Sequence, residues 1–458
     1  MEKKADRQEQ NGSFSRRNFL EVGGAAIAGG ALAATPAVAM SRGGTKRAVA
    51  TNIKKYKTLG RTEFMVSDIA VGGVPLRDTA VVRHAYDLGI NYFDVAEGYG
   101  NGAAEAAVGQ AMQYMDRPEI FITTKIRVGA GDTEASVRDK FMDCLGRLQT
   151  EYIDAFYMHA PGSIADTNNP AFHAATDQLK ADGKLKHIGF SCHSAGRGSP
   201  DSMEDILLSA AANGRFDLLL FSYNFLNREM GDKVLAACKE HNVGTTAMKT
   251  NVGTLKPTPL DPDNLTDAQR TSVERTVSRG RTREQAIETL QRQIQSQEEE
   301  WRETKPFMDR YGLTTQDELD LASVQWVVQN PDMHTTCIAA NSIDNLNKYL
   351  PLSGSTMADL NMALLNDYGR VVSSRYCRQG CDACAGACPA GLQVSTVMRY
   401  AYYFENQARE KDAMVLYREL EGNDASHCLG CSAPCNGSCP YGLDIQANML
   451  EAHTRLSL

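Results

Sequence analysis

The sequence predicts an α/β protein, a (β/α)8 barrel followed by a small α-helical, cysteine-rich segment. Three observations carry that expectation. Eight short apolar runs alternate with amphipathic stretches between residues 52 and 365. No G-x-G-x-x-G follows the first run, as an open dinucleotide-binding sheet would require. Eight of the twelve cysteines fall from Cys377 on. A chain of 458 residues holds two or three domains of ordinary size. With 42% hydrophobic and 23% charged residues it has the composition of a soluble globular protein. Lys plus Arg is 48 against 56 Asp plus Glu, a formal charge of −8. That balance argues against nucleic acid as a partner, because phosphate binding needs a basic field.

The chain opens with a polar stretch that ends in Ser15-Arg16-Arg17-Asn18-Phe19-Leu20. An uncharged, Ala- and Gly-rich run follows from Val22 to Ser41, too weakly apolar for a transmembrane helix. Ala37-Val38-Ala39 fits a small-residue cleavage site. Residues 1–39 thus read as a twin-arginine signal, which exports folded proteins, here to the periplasm. No other segment is expected to span a bilayer. Such a route suits a protein whose metal cofactor is inserted before export.

Strands are expected at 67–72, 90–95, 119–125, 152–159, 186–191, 217–222, 243–248 and 335–339. Apolar runs of this length, bounded by turn signals, suit buried parallel strands. Helices fall between them, among them Thr79–Leu88, Glu134–Leu148 and Phe172–Asp182. Eight such units in 52–365 fit a closed barrel, which takes about 250 residues plus insertions. The connection before the last strand is too long for one helix. Residues 256–318 form a polar insertion in which Ile287, Leu290, Ile294 and Trp301 lie near one helical face. It reads as a surface helix packed on the barrel, or as a lid or docking element.

Polar residues stand where barrel catalysis is expected, at the carboxyl ends of strands. Asp94 ends the second strand, Tyr99 follows in the loop, Lys125 ends the third and His159 ends the fourth. Each alone has a bland reading as a cap, a solvated cation or a structural histidine. Together they compose a proton-donating site for a carbonyl. Lys125 would lower the phenol pKa of Tyr99, Asp94 would hold Lys125, and His159 would orient the carbonyl oxygen.

The stretches Tyr56–Thr62, Asn91–Gly102, Ile122–Lys125, Tyr152–Asp154 with Met158-His159, and Gly183–Ser191 resemble motifs of the aldo-keto reductases, in that family's order. The resemblance covers 52–365. It implies a (β/α)8 barrel and hydride transfer from a nicotinamide to a carbonyl. It also implies Tyr99 as acid, Lys125 and Asp94 as its tuners, and His159 as the residue that orients the substrate. On the cofactor side it implies Ser191, Tyr223 and Asn224 around the nicotinamide, and Asn341 and Ser342 near the ribose phosphate. Here the sequence departs from the family. Cys192 stands where Asn usually follows Ser191, Leu220 stands at the position of a frequent Gln, and 338–345 offers no Arg or Lys for a 2′-phosphate. NAD(P)(H) is therefore a possible rather than a required cofactor.

The end of the chain, 366–458, carries Cys377-x3-Cys381-x2-Cys384-x3-Cys388-Pro389 and Cys428-x2-Cys431-x3-Cys435-x3-Cys439-Pro440. Thiolate quartets ending in Cys-Pro match the ligation of 4Fe-4S clusters, where the Cys-Pro cysteine often serves the other cluster. Zinc sites and four disulfides are the alternatives. With helical character in Val394–Leu420 between the motifs, the segment resembles α-helical two-cluster ferredoxins. That resemblance implies a swapped set, Cys377, Cys381, Cys384 and Cys439 for one cluster and Cys388, Cys428, Cys431 and Cys435 for the other. Cys144, Cys238 and Cys337 read as small core residues.

The combination points to an exported oxidoreductase acting on a small carbonyl or alcohol, with two 4Fe-4S clusters passing electrons to or from a redox partner. The alternative is an electron-transfer or binding protein whose barrel does not use a nicotinamide, since a hydride carries two electrons and each cluster one.

Overall fold

The structure, a computed structural model, describes residues 52–196, 199–252, 282–406 and 409–457, with four further residues between 270 and 277. The signal expected at 1–39 and most of 253–281 lie outside the described residues. The described chain falls into two compact units.

The larger unit contains the barrel and the cysteine segment. The chain begins with a hairpin of β1 (Tyr56–Thr58) and β2 (Met65–Ser67). Eight parallel strands follow and close on themselves: β3 (Ile69–Gly72), β4 (Tyr92–Asp94), β5 (Phe121–Ile126), β6 (Ile153–His159), β7 (Leu185–Cys192), β8 (Leu218–Ser222), β9 (Gly244–Met248) and β10 (Thr335–Ala339). β10 pairs with both β9 and β3, which shuts the barrel. All eight expected strands are present, and the barrel expectation holds. The helices around them are α1 (Thr79–Asp87), α2 (Ala103–Ala111), α3 (Glu134–Leu148), the short α4 (Ile164–Thr167), α5 (Pro170–Ala181), α6 (Met203–Ala212) and α7 (Arg228–Glu240). Their starts are written in the sequence. Asp78 caps α1 through the Ala80 N–H, and Thr133 with Ser136 and Ser202 with Asp205 form reciprocal capping boxes on α3 and α6.

The hairpin plugs the amino end of the barrel. Leu59 and Val66 share one buried cluster with Ala70, Tyr92, Phe121, Ala155, Tyr157, Leu218 and Leu220. Gly60 permits this approach. Its φ is +50°, and a Cβ there would stand 2.3 Å from the Gly244 nitrogen.

Because side chains alternate along a strand, the cluster fixes what faces inward two residues further on. Asp94 follows Tyr92, His159 follows Tyr157 and Ser222 follows Leu220. Lys125 continues the series from Phe121, and Ser191 joins it as the partner of His159 in the β6–β7 register. The row of inward side chains at the carboxyl end is therefore polar, above an apolar plug.

Two further helices flank β10 in the chain, α9 (Gln316–Val328) before it and α10 (Ile343–Tyr349) after it. The cysteine segment contains α12 (Val394–Asn406), α13 (Glu410–Arg418) and α14 (Ile445–Leu456). Leu392, Val397, Tyr417, Ile445 and Met449 are among the residues of its own core. The helical character expected over Val394–Leu420 takes the form of two helices.

The smaller unit contains, among the described residues, the long helix α8 (Arg283–Tyr311) and α11 (Asp359–Val371). A Thr282–Gln285 capping box starts α8 and Gly312, at φ +64°, ends it. Phe307 packs against Tyr368 with the rings tilted, and the Tyr311 hydroxyl donates to Asp367. Among the described residues no helix is long and apolar enough to cross a membrane.

Candidate active site and cysteine cavities

Lys125 is fully buried at the end of β5. Its ammonium donates to Asp94 Oδ2 at 2.8 Å and to the Val95 carbonyl at 2.7 Å, and lies 2.7 Å from Asp94 Oδ1. Thr123 donates its hydroxyl to Asp94 Oδ1 at 2.7 Å. Burial alone would strip the proton from Lys125, but Asp94 holds the charge and raises the pKa above the ordinary lysine value. Tyr99 stands over this pair, with the ammonium 5.0 Å from its ring centroid. The rings of Tyr99 and His159 meet edge-on at 5.8 Å. The four residues therefore converge, as their strand-end positions suggested.

Burial pushes the Tyr99 phenol up to about 12, against the pull of Lys125 and with a further push from Asp94. The sequence led to the opposite expectation for the direction. The ammonium is shared with a carboxylate, so its field at the phenol is largely cancelled and desolvation wins. For His159, burial first, then Lys125, Arg127 and Lys249, hold the pKa well below the usual histidine value. Its imidazole is neutral at physiological pH.

The five positions considered for a nicotinamide divide. Ser191 is buried, and its hydroxyl has no hydrogen-bond partner among the described residues; Ser222, one strand on, is in the same condition. Two buried orphan hydroxyls in the inward row fit a polar group such as a carboxamide. Tyr223 does not face that space. It sits one residue past inward-facing Ser222, packs on Trp326 at 5.1 Å, donates its hydroxyl to Asp232 and accepts from Asn330. Asn224 is spent on the turn after β8, accepting from the Leu226 and Asn227 N–H groups and donating to the Lys249 carbonyl. Asn341 and Ser342 are exposed, and Ser342 caps α10 through the Asn345 N–H.

Sequence reasoning missed the contribution of α12. Arg399 donates to His193 Nδ1 at 2.8 Å and Ser194 Oγ at 3.1 Å, just past the end of β7. Tyr403 lies under the Lys249 ammonium, and Tyr402 donates to the Asn251 carbonyl. The only sequence signal was the aromatic run Arg399–Phe404, which reads equally well as helix core.

The eight clustered cysteines border two cavities. Cys377, Cys381, Cys384 and Cys439 line the first, and Cys388, Cys428, Cys431 and Cys435 line the second. Each cavity draws three cysteines from one motif and the Cys-Pro cysteine from the other. None of the twelve cysteines is disulfide-bonded. Among the described residues no group of three His, Cys, Asp or Glu is arranged to hold a single metal ion. Cys144 and Cys238 are buried in α3 and α7, and Cys337 faces the barrel lumen from β10.

Comparison with known proteins places the barrel. Probable aldo-keto reductase 1 of Glycine max is 28% identical over 207 residues, covering 41% of this chain and 56% of that protein. NADH-specific methylglyoxal reductase of Escherichia coli strain K12 is 27% identical over 217 residues, covering 40% and 64%. The chain thus spans somewhat over half the length of these two curated relatives. Among solved structures, an aldo-keto reductase of Bacillus halodurans in its holo form superposes with a TM-score of 0.47 at 21% identity, covering 68% of this chain and 95% of that one. The profile of the aldo/keto reductase family matches residues 76–353, more than half of the chain and ending before the cysteine motifs. The chain belongs to the aldo/keto reductase family.

Proposed function

We propose that the protein is an exported iron–sulfur oxidoreductase whose barrel interconverts a small carbonyl compound and its alcohol. The observation that carries this reading is the convergence of Asp94, Lys125, Tyr99 and His159 at one end of a closed barrel. A carbonyl oxygen fits between the Tyr99 hydroxyl and the neutral His159 imidazole. As hydride arrives at carbon, the oxygen becomes an alkoxide. Tyr99 passes it a proton, and the ammonium of Lys125 steadies the tyrosinate left behind. A phenol held near 12 gives up its proton only to a strong base, so it reacts with the forming alkoxide rather than with water. Asp94 keeps Lys125 charged and in place.

A nicotinamide, when bound, supplies the hydride, and Ser191 with its free buried hydroxyl is the residue to hold its amide. Asn341, with Ser342 at the start of α10, would be the polar pair to meet its phosphates. The cysteine segment is proposed to be a ferredoxin-like module with two 4Fe-4S clusters, which pass single electrons to a redox partner when bound. The division of the eight cysteines into two cavities of four supports this reading. Export to the periplasm rests on Arg16-Arg17 and the Ala37-Val38-Ala39 site.

Turnover of aldehyde by the anaerobically purified protein tests the reaction. Tyr99→Phe should lower it by about 10²-fold or more, the scale of general acid catalysis, with iron content unchanged. Undiminished turnover would remove Tyr99 as the acid.

A further inference from the structure

Helix α12 carries a charged pair of contacts to the carboxyl end of the barrel that the reaction above does not use. Arg399 is only 5% exposed. One of its terminal nitrogens is committed to His193 and Ser194. Its Nε has no partner, and among the described residues no carboxylate lies within ion-pair distance. The acidic group facing it is Asp382, which accepts from the Ser395 hydroxyl and the Ala195 N–H and keeps its buried Oδ2 without a partner among the described residues. The edge of the guanidinium left open presents two parallel N–H groups, the arrangement that binds both oxygens of a carboxylate.

A second cation stands close by. Lys249, just past β9, is held at φ +55°, a conformation that is unfavourable for a residue with a Cβ and that collects at functional sites. Its ammonium hydrogen-bonds the Tyr403 phenol and lies 5.4 Å from that ring's centroid. Lys249 likewise has no carboxylate partner among the described residues. Arg409 covers the same ring at 4.5 Å but is paired with Asp412. The field of Lys249 reaches His159, and that of Tyr403 reaches Tyr99. Two cations with no carboxylate in direct ion-pair contact among the described residues, Asp382 acting on Arg399 only at longer range, are costly unless an anion completes them.

We propose that Arg399 and Lys249, with the Tyr403 phenol, form an oxyanion subsite at the mouth of the barrel, and that the substrate is a carbonyl compound bearing a carboxylate. The substrate class rests on the reaction proposed above. The subsite itself rests only on the contacts of α12. It makes the cysteine segment part of the substrate site, so the barrel is incomplete without that segment.

Calorimetric titration of the full-length, cluster-loaded protein tests this with 4-oxobutanoate and its methyl ester, and with NADH and inorganic phosphate as separate arms. The acid should bind about tenfold or more tighter than the ester. Arg399→Gln should abolish that preference and leave the ester, NADH and phosphate as they were. Lys249→Met should reduce the preference too; it leaves the Arg399–His193 contact intact, so a folding defect would not explain both. Equal binding of acid and ester by the unaltered protein would overturn the proposal. So would an Arg399→Gln variant that loses only NADH or phosphate, because the open edge would then serve a cofactor or a free ion. Tyr99→Phe should bind the acid normally; if it also turned aldehyde over normally, the reaction would fall and the subsite would stand.

Discussion

Lys125 keeps a full charge where no water reaches it, and its hydrogen-bond acceptors among the described residues are Asp94 and one carbonyl. Lys125→Met should therefore do more than slow the reaction. It leaves the Asp94 carboxylate buried with Thr123 alone, a loss of about 3–5 kcal/mol for a broken buried pair. The urea midpoint should fall, and adding Asp94→Asn should restore part of it; a midpoint that does not move would show the pair to be solvated. Asp94, Tyr99, Lys125 and His159 were legible in the sequence because inward residues recur every second position and catalytic groups gather at strand ends. Parity also explains the misplaced residue. Leu220 faces the lumen, so Ser222 does too, and Tyr223 must face the helices. Arg399 was illegible because its partner His193 lies on a strand end some two hundred positions earlier, and no local pattern encodes that meeting.

At the level of elements, the eight barrel strands were readable as apolar runs, while the β1–β2 hairpin was not. Its strands are three residues long, too short for alternation to register. The cysteine motifs were the clearest signal of all, since spacing alone sets which thiols share a loop. The division into cavities makes a sharp expectation. Cys388 belongs to the first motif but lines the second cavity. On the proposed two-cluster reading, Cys388→Ser should cost the second cluster and leave about four irons in the first. Iron analysis with low-temperature electron paramagnetic resonance would tell the two apart, and loss of the first cluster alone would refute the exchange.

For the molecule as a whole, acid is the condition to which the partly buried histidines are most sensitive. His159 and His193 are held well below the ordinary value, His173 below it and His334 at about 4, in each case first by burial. Their folded pKa values lie under the unfolded value of about 6.5, so the unfolded chain takes up protons first as pH drops. The stability they contribute is complete above about 6.5 and is lost as pH falls toward the folded values. Asp132, held at about 2 by Lys140 and the Gly129 N–H, gives way only in stronger acid, below its unfolded value near 4. The melting temperature should thus decline between pH 6.5 and 5, before such carboxylates titrate. A flat profile across that interval would contradict the assignment.

The two cysteine quartets are nested along the chain. The one that closes with Cys435 lies inside the one that opens with Cys377 and closes with Cys439. Whatever cross-links the inner quartet draws Cys388 to Cys428 and shortens the free loop between Cys384 and Cys439. The closure entropy of a loop rises with its length, so the outer quartet then closes at a smaller entropic cost. If the proposed clusters occupy the two cavities, their loading should be cooperative through the chain itself, with the inner site filling first and no direct contact between the bound groups required.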